Sequence, residues 1–142
     1  MRSTIENILQ KGKFLGNVKG RSMYPMLRSG TDTVVVERCK GKLKKYDVSL
    51  YKKNGKYILH RVIRVLPDSY VMRGDNCFQE EPGIPESQIL GILTGFYRKN
   101  RYVSVDNHIY KGYVRIWCML YPLRKLARII RGFIKNRGCG KI

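Results

Sequence analysis

A serine hydroxyl attacks a carbonyl only when a base takes its proton and the backbone presents it at a bend. The segment Gly20-Arg21-Ser22-Met23-Tyr24-Pro25-Met26-Leu27 has residue types for such a bend, with glycine two before Ser22 and proline three after it. Met23, Pro25 and Met26 are then candidates for the wall of an extended peptide groove. A base is offered by Ile58-Leu59-His60-Arg61-Val62-Ile63. In a strand, His60 shares a face with Ile58 and Val62, while Leu59, Arg61 and Ile63 point the other way. Apolar neighbours would keep the imidazole neutral near pH 7, as a general base requires. Asp75, in the tight turn Gly74-Asp75-Asn76, could orient that imidazole and steady its charged form. Taken singly, these are a serine in a turn, a core histidine and a turn aspartate, and each has a purely structural explanation.

Taken together and in order, they resemble the boxes of signal peptidases. Ser22-Met23-Tyr24-Pro25 is similar to the S-M-x-P nucleophile box, Leu59-His60-Arg61-Val62 to the base-bearing strand, and Gly74-Asp75-Asn76 to the G-D-N box. The similarity covers about residues 18–95, and His60 places the chain with the branch that carries histidine rather than lysine as base. That resemblance implies Ser22 as nucleophile, His60 as base and Asp75 as the partner of His60. It also implies a second acidic residue shortly after the G-D-N box, at Glu80 or Glu81, of which Glu81 is the candidate carried forward. Gly20 stands where many bacterial members have a serine that helps bind the oxyanion, which leaves the backbone N–H of Ser22 as the expected donor. The implied fold is mostly β: a small coiled-sheet, barrel-like peptidase with a short N-terminal helix and an amphipathic C-terminal helix.

Several elements must position these residues. Ser3 with Glu6 has capping-box spacing and predicts a helix over about 4–11. Strands are expected near 12–20, at 33–38, where Val34-Val35-Val36 suggests burial on both faces, and at 47–52 and 56–66 around an Asn54-Gly55 hairpin turn. Further strands are expected at 69–72, 89–97 and 102–105, and the segment containing Pro82 and Pro85 reads as a polar loop. From Gly112 the period turns helical. The expected division is a peptidase domain over 1–110 and a basic helical tail over 111–142.

The chain has 142 residues, 43% of them hydrophobic, and a formal net charge of +19. This is enough for one packed domain and too apolar for a disordered chain. Residues 1–95 hold 17 Lys and Arg against 9 Asp and Glu, a net +8, whereas residues 96–142 hold 12 against 1, a net +11. In the tail, Leu123, Leu126, Ile130 and Phe133 separate from Arg124, Arg128, Arg131 and Lys135 when wound at 100° per residue. A basic helix of this kind lies well on an anionic membrane surface, and it equally suits packing of its apolar arc onto the sheet. No specific nucleic-acid partner is expected.

Cys39, Cys77, Cys118 and Cys139 form no C-x-x-C pair, and the two histidines lack ligand spacing, so neither a metal nor another cofactor is expected. Met1–Gln10 has no long apolar core or small-residue cleavage site, so the expected location is cytoplasmic or peripheral to a membrane, with free thiols. Ser49-x-x-Lys52, Arg73-Gly74-Asp75 and the C-terminal Cys139-Gly140-Lys141-Ile142 match other short motifs and are set aside as coincidence. The expected activity is serine endopeptidase cleavage of a precursor or leader peptide. Its rivals are a self-cleaving repressor-type domain and a non-catalytic basic module that binds membrane or nucleic acid.

Overall fold

The computed structural model describes residues 4–138; Ser3, the expected helix cap, and the C-terminal Cys139 motif lie outside the described residues. Helix α1 (Thr4–Lys11) leads into eight antiparallel strands: β1 (Lys13–Asn17), β2 (Asp32–Glu37), β3 (Val48–Lys53), β4 (Lys56–Val65), β5 (Ser69–Arg73), β6 (Glu81–Pro85), β7 (Ile89–Arg98) and β8 (Arg101–Ser104). They form one mostly-β sheet in the order β1-β2-β7-β3-β4-β5-β6, with β8 on the far half of β7. The path runs from β1 to β6 without closing, so the sheet is open rather than barrel-like.

The hairpin β3–β4 turns on Asn54 and Gly55, at φ 51° and 76°. Two successive left-handed residues give the twist that antiparallel strands need, which is why Asn-Gly marks the turn. That turn sets the register, pairing Lys53 with Lys56 and hence Ser49 with His60. One expectation fails at β6. The two prolines argued for a loop, yet Tyr70 pairs with Ile84 and Ser69 with Pro85. Ile84 is buried in an apolar cluster with Tyr51, Val62, Tyr70 and Met72, and an edge strand tolerates proline because its outward N–H has no ladder partner.

Strand alternation divides the interior in two. Val34, Val36, Val48 and Leu50 pack with Met23, Met26, Leu27 and Phe96 in the larger cluster, while Tyr51 and Val62 serve the smaller one. All three valines at 34–36 are buried, as burial on both faces requires. Helix α2 (His108–Met119) starts on an Asn107 cap that accepts the Ile109 N–H at 2.8 Å. Val114 of α2 is buried in the larger cluster, with Tyr110 and Tyr113 beside it. The expected boundary after residue 110 therefore falls inside a helix that completes the core. Helix α3 (Tyr121–Gly138) follows after Leu120, with Pro122 in its first turn, where no backbone N–H is missed.

Candidate active site

The loop between β1 and β2 carries Ser22, and two arginine–aspartate pairs hold it. Arg98 grips Asp32 through Nε (3.0 Å) and Nη2 (2.6 Å), and Nη2 also donates to the Met26 carbonyl at 2.7 Å. Asp32 in turn accepts the Arg28 N–H at 2.9 Å. On the other side of the loop, Arg61 Nη2 lies 2.8 Å from the Met26 sulfur and Nη1 donates to the Tyr46 carbonyl. The G-D-N turn closes on Ser22 itself. The Asn76 N–H donates to the Ser22 carbonyl at 2.8 Å, and Asn76 Nδ2 donates to the Arg21 carbonyl at 3.2 Å.

Gly74 is required by close approach. A Cβ there would stand 2.6 Å from the Ser22 carbonyl oxygen, 2.8 Å from Cys77 Sγ and 3.1 Å from His60 Nε2. The Ser22 carbonyl oxygen and His60 Nε2 thus flank the same point. Ser22 and His60 also line one cavity of about 870 Å³ with Met23, Leu50, Leu59 and Val34.

His60 is 9% exposed, on β4. Its Nδ1 lies 3.3 Å from Tyr51 Oη and 3.5 Å from Glu81 Oε1. Tyr51 donates to Glu81 Oε2 at 3.2 Å, and Lys53 Nζ holds the same oxygen at 3.2 Å. With the tyrosine proton committed to Glu81, the network assigns the His60 proton to Nδ1 and leaves Nε2 as the unprotonated nitrogen. Burial pushes the His60 pKa below 6.5, against the opposing pull of Glu81 and then Asp75. Burial and the Glu81 charge together drive the Tyr51 pKa far up, so it stays a neutral donor.

Asp75 occupies a different place from the one expected. Both its oxygens belong to Arg61, at 2.7 Å from Nε and 2.8 Å from Nη2, in a pair with almost no exposure. The reason is the two-residue period of β4: His60 looks towards Tyr51 and Glu81, while Arg61 looks to the opposite face and takes Asp75. The carboxylate at His60 Nδ1 is Glu81. Glu80 pairs instead with Arg64 at 3.0 Å and Arg73 at 3.4 Å.

The groove expectation is also revised. Met23 lines the cavity with Ser22, but Pro25 and Met26 line another one, of about 420 Å³, against Phe96, Arg98 and Tyr113. Met26 is drawn there because Arg61 and Arg98 both bind it. Tyr51 was not foreseen, and Asn76 was named only as part of the G-D-N turn, without its bonds to the Ser22 and Arg21 carbonyls. Tyr51 was within reach, since the Asn54-Gly55 turn sets Ser49 opposite His60 and places Tyr51 on its diagonal.

Cys77 adjoins the same corner, and burial raises its thiol pKa, so it is a poor thiolate. No group of three or more His, Cys, Asp or Glu gathers at metal-binding distance among the described residues. The chain matches no protein-family model and no curated protein.

Proposed function

We propose that the protein is a serine endopeptidase similar to the histidine branch of the signal peptidases, cleaving apolar stretches of precursor or leader peptides. The observation that carries this reading is that Ser22 and His60 line one cavity, with the Ser22 backbone and His60 Nε2 both close to Gly74 and Nδ1 backed by Tyr51 and Glu81. In the reaction, Ser22 Oγ attacks the peptide carbonyl while Nε2 takes its proton. The backbone N–H of Ser22 steadies the oxyanion. The imidazolium, balanced by Glu81, gives that proton to the leaving amine as the C–N bond breaks. An acyl-serine remains. Water then loses a proton to Nε2 and attacks the ester, and Ser22 leaves with the proton returned.

Glu81 has the role that the resemblance assigned first to Asp75. Asp75 acts at one remove, by holding Arg61 and with it the nucleophile loop. The apolar walls of the cavity favour an extended peptide with apolar side chains near the cut, and a peptide with Ala or Gly just before the cut is the first substrate to try. The test is intact-mass analysis of such peptides after incubation with wild-type protein and with Ser22→Ala, together with labelling by a fluorophosphonate. Cleavage and labelling that vanish in Ser22→Ala support the reading. Neither one in the wild type leaves a non-catalytic basic module.

A further inference from the structure

The two helices present their residues in an unexpected sense. At 100° per residue, Tyr110, Val114, Trp117 and Tyr121 form the face that meets the body. Continued into α3, that face becomes basic, through Arg124 and Arg128. Arg124 stacks 4.0 Å above the Trp117 ring and donates to the carbonyl of Asp75 at 3.1 Å, and Arg128 lies 4.6 Å from the Phe78 ring. Trp117 Nε1 donates to the same Asp75 carbonyl, at 2.9 Å. At its root, α3 therefore turns its basic arc inward, through Arg124 and Arg128. Its apolar arc faces outward, with Leu123 64% and Phe133 68% exposed, and Leu126, Ile130 and Ile134 uncovered beside them.

The uncovered stripe runs on along the outer side of α2, through Ile109, Ile116 and Leu120. Eighteen residues at 1.5 Å rise make α3 about 27 Å long. Among the described residues, no helix is long and apolar enough to cross a membrane. What fits the stripe must be apolar where the leucines and isoleucines are, and anionic around them. Lys111, Arg115, Lys125 and Arg131 are exposed alongside it, and residues 96–142 carry net +11. A second copy would bring another +19 against this face, which opposes self-association. Nucleic acid would meet the charge but leave the hydrocarbon wet.

We infer that the outer face of α2 and α3 docks on an anionic lipid bilayer, lying in its surface, with the leucine and isoleucine side chains among the acyl chains. This stands apart from the peptidase reading, because binding is measured without catalysis. The experiment is co-sedimentation of full-length Ser22→Ala protein with vesicles of phosphatidylglycerol and phosphatidylcholine, or of phosphatidylcholine alone. The acidic vesicles should bind the protein at least about ten-fold better, and the advantage should shrink in high salt. The triple substitution Leu123→Ser, Ile130→Ser and Phe133→Ser should remove binding about ten-fold or more while the far-ultraviolet spectrum stays native, because all three side chains are exposed. Trp substituted at Phe133 should shift its emission to the blue on acidic vesicles. Equal binding to neutral vesicles, full retention of binding by the triple variant, or an unshifted emission overturns the assignment. So does a dimer that the triple variant dissolves in protein that ignores lipid.

Discussion

Around Ser22, arginines turn inward to carboxylates: Arg61 to Asp75 and Arg98 to Asp32. At the root of α3, arginines also turn inward, but to aromatic rings and a carbonyl, and the apolar residues of the same helix turn out. In the first region the cation, fully buried at Arg61 and half-buried at Arg98, meets its counter-charge and leaves apolar side chains free to fill the interior. In the second it is bound flat on Trp117 and Phe78, and no apolar packing holds the outer turns of α3. Arginine serves both because its planar head makes paired hydrogen bonds and also stacks on rings. The difference lies in what it leaves exposed: a closed corner in one place, a greasy ridge in the other.

Breaking the chemistry of the corner should give the largest effect and leave the ridge untouched. Ser22→Ala and His60→Ala should each lower kcat for a cleaved peptide by about 10⁴-fold or more, with the double variant little worse than either. Vesicle sedimentation should be unchanged in both. Glu81→Gln should cost about 10²-fold or more in kcat with little change in melting temperature, since the proposed mechanism sets its charge against the transition-state imidazolium while Gln keeps an oxygen for Tyr51 and Lys53. Asp75→Asn should do the reverse of Glu81→Gln in stability. It leaves the Arg61 charge buried and uncompensated, at a cost of about 3–5 kcal/mol in urea unfolding. A stable Asp75→Asn protein with lost turnover would return Asp75 to the catalytic set.

The pH profile sharpens the same distinction. In the proposed mechanism His60 works as a neutral base, and burial holds its pKa below 6.5, so the acid limb of kcat/KM should fall below pH 6.5. Glu81→Gln removes a charge that raises this pKa and should move the limb further to acid. In stability the sign is opposite to that of a gained ion pair. The unfolded chain binds the proton first, so the folded state loses ground as pH drops below the unfolded value near 6.5. An acid limb above pH 7 would contradict the burial of His60. The smallest effect is expected from ending the chain after Arg128. Arg124 and Arg128 keep their places, so cleavage of a soluble peptide should change by less than about three-fold. Ending it at Lys111 instead removes Val114 and Trp117 and should unfold the protein.

What could be read beforehand followed from local rules. Asn54-Gly55 specified its hairpin, three adjacent valines specified a strand covered on both sides, and the Thr4–Lys11 helix has the span expected from the Ser3–Glu6 spacing. Strand β6 stayed hidden because Pro82 and Pro85 are breakers by local rules, while the burial of Ile84 that outweighs them is a tertiary effect. The partner of Asp75 was hidden for another reason. His60 and Arg61 are adjacent, and sequence does not say on which face of β4 the turn will lie. Amphipathic spacing likewise located the two arcs of α3 without telling which of them would meet the body, since that depended on Trp117 and Phe78 being there to receive the arginines.

The prolines of β6 have a consequence for the protein at high concentration. A sheet that ends in a free strand offers a ladder of unused donors and acceptors, and such ladders seed fibrils. Pro82 and Pro85 have no amide hydrogen, and Gly83 between them adopts φ 72°, so the outer rim of this strand is bent and short of donors. A neighbouring molecule arriving at the β6 edge finds no continuous row of donors to zip onto. For a chain that also exposes a row of leucine, isoleucine and phenylalanine, that blunted rim closes one of the routes from crowding to amyloid.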